Sequence, residues 1–174
     1  NAWSYGGLVI GDYLAERGVE KIAGAHFIGA AIINGGRLPF FGPALLRRVP
    51  KMSLANAGVV IEHARKFVRE CTAAPMQREL FETALAWTMQ TPAHVRFSLV
   101  RRKLDLRPLL ATVKIPALIS QGMLDQVILP SMAEETAKAM PQARLSRYER
   151  IGHMPFIEDS ERFNRELAEF AATV

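Results

Sequence analysis

The spacing of apolar positions along this chain changes twice, and the changes divide it. Leu8, Tyr13 and Leu14 lie in a helical stretch opened by Gly6 and Gly7, which Gly18 can close at its C-terminus. Ile22 to Ile33 follows as an apolar run long enough for a buried strand, so residues 1–36 predict one αβ unit of a parallel sheet. From Arg37 to about Asp105 the pattern becomes helical, punctuated at Pro39, Gly42, Pro43, Pro50, Pro75 and Pro92. Val60, Ala64, Phe67 and Cys71 step by four, three and four, and Leu80, Ala84, Trp87 and Thr91 do likewise, as amphipathic helices require. With no strand period among them, residues 37–106 predict an all-helical insertion. Sheet signals return over 107–174. Ile115 to Gln121 reads as a strand, Pro130 as the first turn of a helix, Ala143 to Tyr148 as a second strand, and Phe163, Leu167 and Phe170 as the face of a last helix capped by Asp159. The fold class is therefore α/β, with a parallel sheet and a helical insertion.

Composition narrows the class. At 174 residues, 49% hydrophobic and 22% charged, the chain is long enough to bury a sizeable core. No stretch approaches the roughly 18 uninterrupted apolar residues of a membrane span, and the start lacks the basic and apolar runs of a secretory signal, so the chain reads as cytoplasmic. The single cysteine, Cys71, excludes an intrachain disulfide and reads as a small residue within a helix. The net charge of +5 invites a nucleic-acid partner, but its location argues otherwise. Twelve Lys or Arg stand against four Glu between Arg37 and Leu104, leaving the remainder net negative. Arg47, Arg48 and Lys51, then Arg101 to Lys103, form short runs without interleaved aromatics and read as solvated helical faces. No nucleic-acid partner is expected.

Three segments carry candidate chemistry. Ala2-Trp3-Ser4-Tyr5-Gly6-Gly7 places a serine between small residues just ahead of a helix, as a sharp strand-to-helix turn needs, because bulk two positions either side would clash across it. Gly122-Met123-Leu124-Asp125 puts a carboxylate beyond the Ile115 to Gln121 strand, where it could accept a hydrogen bond from an imidazole and fix its tautomer. Gly152-His153-Met154-Pro155-Phe156 puts a histidine beyond the next strand, on a loop stiffened by Pro155. Each segment alone has an ordinary explanation, as a turn serine, a loop carboxylate or a structural histidine. His26, His63 and His94 have no spacing that groups them into a metal site, and the methionines and aromatics of the insertion read as core or pocket lining, so neither metal nor cofactor is expected.

The order Ser, acid, His, with all three at strand ends and a helical insertion between the first and second, resembles the α/β-hydrolase superfamily. The Gly-x-x-Asp and Gly-His-Met-Pro-Phe segments carry that resemblance, and Pro130 with Phe156-Ile157-Glu158-Asp159 looks most like its branch of small bacterial esterases and cofactor-free haloperoxidase-like enzymes. The resemblance implies Ser4 as nucleophile, His153 as base and Asp125 as the acid that orients it. It also implies that the Tyr5 backbone N–H donates to the oxyanion, worth about 3 kcal/mol of the barrier in comparable sites. The substrate it implies is a small or medium acyl ester, with the insertion roofing an apolar pocket. A serine at the elbow disagrees with the carboxylate nucleophiles of epoxide hydrolases and haloalkane dehalogenases. Perhydrolysis, carbon–carbon bond hydrolysis and a purely binding role are the competing readings. Asn1 stands three residues ahead of Ser4, whereas a complete member of the superfamily carries its central strands and a second oxyanion donor before the elbow. The expectation is thus of a fragment, unstable and inactive by itself.

Overall fold

The computed structural model describes residues 1–35 and 39–174. Its main sheet is built from β1 (Ala2–Trp3), β2 (Ala25–Ile28), β5 (Ala117–Gly122) and β6 (Arg144–Tyr148), all parallel and ordered β1-β2-β5-β6. Every residue of β2 and β5 is buried, as expected of strands covered on both faces. Helices α1 (Gly6–Arg17), α6 (Arg107–Thr112) and α7 (Pro130–Ala139) pack with one face, where Leu8, Phe27, Leu110, Ile119 and Met132 form the main core. On the other face Ile28 and Tyr148 meet Phe163 of α9 (Ser160–Ala171), which follows the short α8 (Pro155–Glu158). Alternate residues of β2 thus serve opposite layers.

Between β3 (Ile33–Asn34) and β4 (Leu104–Asp105) come α2 (Pro43–Met52), α3 (Ala57–Glu70), α4 (Arg78–Met89) and α5 (Ala93–Arg101). This helical segment is tied to the rest of the fold at both ends. Gly42 and Ala44 donate backbone hydrogen bonds to Val127 O and Gln126 O, both 2.9 Å, and Leu129 donates to Phe40 O. At the far end Asn34 Nδ2 donates to Leu99 O and Arg102 O, while Arg102 pairs with Asp12 of α1.

The structure departs from the sequence pattern in five places. The apolar run 22–33 is not one strand: Gly29, with φ of +46°, breaks it after β2, and β3 pairs antiparallel with β4 in a separate ladder. The expected all-helical insertion therefore closes on a strand pair, whose two-residue members are too short to show a period. Asp159 stands at the start of α9, but its side chain makes no capping hydrogen bond there. The basic runs are not simply solvated faces. Arg48 pairs with Glu70, Arg102 with Asp12, and Arg96 is buried, donating to Met52 O and Thr88 O. Cys71 sits at the C-terminus of α3 rather than within it.

Candidate active site

Ser4 follows β1 directly and is the only non-glycine residue with positive φ among the described residues, at +54°. That conformation costs an L-residue roughly 1–2 kcal/mol and persists only where surrounding bonds impose it. Here the Ser4 N–H donates to Ile28 O at 3.0 Å, and its carbonyl accepts from Ala31 N–H at 2.9 Å and Gly7 N–H at 3.2 Å. The end of β2 and the first turn of α1 thereby hold the turn from both sides. The next backbone N–H, that of Tyr5, donates to no acceptor among the described residues.

Asp125 and His153 meet across the carboxyl ends of β5 and β6. Both are 1% exposed, and His153 Nδ1 lies 2.7 Å from Asp125 Oδ2. A buried carboxylate needs its remaining lone pairs satisfied. Asp125 Oδ1 accepts from Val127 N–H at 2.7 Å and Ile128 N–H at 3.0 Å, and Gln121 Nε2 donates to Oδ2 at 3.3 Å. The two loops close on each other because Gly122 lacks a side chain: a Cβ there would lie 1.8 Å from Gly152 O. Gly29 sits against the pair, where a Cβ would lie 3.0 Å from His153 Nδ1 and 3.2 Å from Asp125 Oδ2.

His153 is held further by its backbone and by Trp3. Its N–H donates to Cys71 O at 2.8 Å, and its carbonyl accepts from Trp3 Nε1 at 2.9 Å, with the two rings 5.3 Å apart. His153 Nε2 is buried with no partner among the described residues, so Ser4 Oγ and His153 are not hydrogen-bonded here. Of the four sequence candidates, Asp125 and His153 are in direct contact, and Trp3, the residue before Ser4, hydrogen-bonds the His153 carbonyl. Sequence reasoning missed Trp3, Gln121, Gly29 and Cys71 O. Gln121 alone left a trace, as a polar residue ending an apolar strand.

An apolar cavity of about 190 Å³ opens beside Ser4 and Tyr5. Leu8, Phe41, Leu45, Val49, Val100 and Ile128 line it, so α1, the helical segment and the loop after Asp125 all contribute walls. Burial pushes the Cys71 thiol far above its usual range, which removes it as a nucleophile. Among the described residues no three His, Cys, Asp or Glu side chains converge as metal ligands, and no helix is long and apolar enough to cross a membrane.

Residues 2–166 match the model of the alpha/beta hydrolase family. The chain belongs to that family. Among solved structures, the esterase RhEst1 from Rhodococcus sp. ECU1013 is 30% identical with a TM-score of 0.91, covering 98% of this chain and 63% of its own. A bromoperoxidase from Bacillus anthracis shares the fold at 18% identity and TM-score 0.81, over 98% of this chain and 66% of its own. The pimeloyl-[acyl-carrier protein] methyl ester esterase of Vibrio campbellii is 24% identical over 177 residues, 98% of this chain and 68% of that relative. This hydrolase chain thus spans somewhat less than two thirds of the Rhodococcus esterase.

Proposed function

We propose that this chain carries the catalytic triad of a serine hydrolase that cleaves small or medium carboxylic esters through an acyl-enzyme. The observation that carries the reading is the buried Asp125–His153 pair, with an unpartnered Nε2, whose histidine carbonyl is held by Trp3, the residue before a serine in a strained turn. Ser4 Oγ attacks the acyl carbonyl as His153 Nε2 takes its proton. Asp125 accepts from Nδ1–H, which fixes the tautomer that leaves Nε2 free to act as base and stabilises the imidazolium. The unpaired Tyr5 N–H, at the positive end of α1, donates to the oxyanion. Protonated His153 then returns its proton to the leaving alkoxide, and water hydrolyses the acyl-enzyme by the same steps reversed. The apolar cavity takes the acyl chain, roofed by α2 and α5 as a cap. Two relatives named as esterases support ester bonds as the target. Absence of a hydrogen bond between Ser4 and His153 in the unliganded site is compatible with the mechanism, because such bonds commonly tighten only with substrate.

Replacing Ser4 with Ala in the whole protein that carries this chain tests the assignment by p-nitrophenyl butyrate turnover and fluorophosphonate labelling. Turnover should fall by roughly a thousandfold or more, and labelling should vanish. Labelling that survives the substitution refutes Ser4 as nucleophile.

A further inference from the structure

Glu158, at the end of α8, grips two parts of the molecule at once. Its Oε1 accepts from Gly152 N–H at 2.8 Å, one residue before His153, and its Oε2 accepts from Ala73 N–H at 2.7 Å and Ala74 N–H at 3.4 Å. Residues 73 and 74 lie in the link between α3 and α4, two and three residues after Cys71, whose carbonyl receives the His153 N–H. The histidine loop and the helical segment therefore form a closed ring of hydrogen bonds: His153 to Cys71, along the chain to Ala73, through the Glu158 carboxylate to Gly152, and back. Within the link, Thr72 Oγ1 donates to Ala74 O at 2.7 Å and Met76 packs on the core. Clefts of about 570 and 430 Å³ flank it, both lined by Thr72, Ala74, Pro75 and Met76, and Ala73 and Ala74 are exposed. An ionised carboxylate accepting from backbone N–H groups makes the stronger class of hydrogen bond, and two oxygens aimed in different directions suit a bridge.

We propose that Glu158 is a positioning residue for His153, locking the histidine loop to the helical segment that roofs the pocket. The proposal rests on the reading of His153 as the base. Without the bridge, Gly152 and the 72–76 link lose a shared anchor, and the imidazole drifts relative to Asp125 and Ser4. A displacement of about an ångström suffices to slow a positioned proton transfer strongly, while an apolar pocket formed largely by other residues still binds substrate.

The test compares Glu158→Ala and Glu158→Gln with the parent protein, Gln keeping one acceptor oxygen and the side-chain length. Steady-state ester hydrolysis should show kcat falling roughly ten- to a hundredfold in the Ala variant, less in the Gln variant, with KM within about twofold. The low-field proton NMR resonance of His153 Nδ1–H, sharp in the parent through its bond to Asp125, should broaden or disappear in the Ala variant. Amide exchange at Gly152 and Ala73 should accelerate. Unchanged kcat and an unchanged low-field resonance in a folded Ala variant overturn the proposal, as does a loss of folded protein in both variants, which assigns Glu158 to the scaffold alone. Fluorophosphonate labelling separates the two levels. A labelled parent with an equally fast Ala variant defeats only the positioning role, whereas a parent not labelled at Ser4 defeats the triad reading and this proposal with it.

Discussion

At the scale of single residues, the candidate site is built as much from missing atoms as from functional groups. Ser4 takes a backbone conformation that costs energy, and Gly29 takes a related one, φ +46°, at the point where β2 must end to clear the Asp125–His153 pair. Gly29→Ala imposes two penalties there. The left-handed backbone disfavours an L-residue by roughly 1–2 kcal/mol, and the new methyl arrives 3.0 Å from His153 Nδ1 and 3.2 Å from Asp125 Oδ2. The imidazole must shift a few tenths of an ångström or the strand end must move. The expected result is a thermal unfolding midpoint lowered by several degrees, together with a kcat for p-nitrophenyl butyrate reduced by roughly tenfold or more. An Ala variant with full turnover and parental stability would show that the close approach is not maintained in solution.

At the scale of elements, the sequence was informative wherever a pattern had room to repeat. Helices α1, α3, α4, α7 and α9 follow from their apolar spacing, β5 from its short apolar run, and β6 as a short strand bounded by turn signals. The candidate site was legible because its chain order and strand-end placement are local properties: Ser4 after β1, Asp125 after β5, His153 after β6. What was illegible is what depends on distant partners. The β3–β4 ladder is two residues per strand, and Trp3, Gln121 and Cys71 O reach His153 or Asp125 only through the fold. Arg96 is the sharpest case, since a lone arginine in a basic segment carries no sign of burial. Arg96 is 8% exposed, and its guanidinium donates to Met52 O, at the end of α2, and to Thr88 O in α4, so it joins α5 to two other helices through their carbonyl groups. Arg96→Leu fills much of the volume but leaves both carbonyls without a donor. Each hydrogen bond to a charged group is worth about 1.5–3 kcal/mol, so the variant should lose at least about 2 kcal/mol of stability, read by chemical denaturation. Exposed Arg78, which pairs with Glu82 on its own helix, should lose well under 1 kcal/mol on the same change.

At the scale of the whole molecule, the sheet separates two kinds of buried histidine. His153 stands at its carboxyl end, while His26 lies within β2 on the face covered by α9, stacked on Phe163 at 5.4 Å and sharing a 2.9 Å hydrogen bond with Ser120 of β5. Burial is the main reason its pKa drops from 6.5 to about 4, with the N-terminal ammonium of Asn1 and then Arg144 adding to the effect and Glu166 opposing it. A base whose folded pKa lies below its unfolded one is protonated first in the unfolded chain, so acid favours unfolding. The contribution is complete above pH 6.5 and declines as pH falls towards 4, a span equivalent to about 3 kcal/mol at 1.36 kcal/mol per unit. Carboxylates titrate in the lower part of that window, so a difference measurement is needed. His26→Gln keeps a polar group for Ser120 but has no proton to gain. Denaturation at pH 7 and pH 4.5 should show the parent losing more stability than the Gln variant by about 2 kcal/mol. Equal losses would mean that His26 is solvated in the folded state, and that α9 does not seal the far face of the sheet that carries the candidate site.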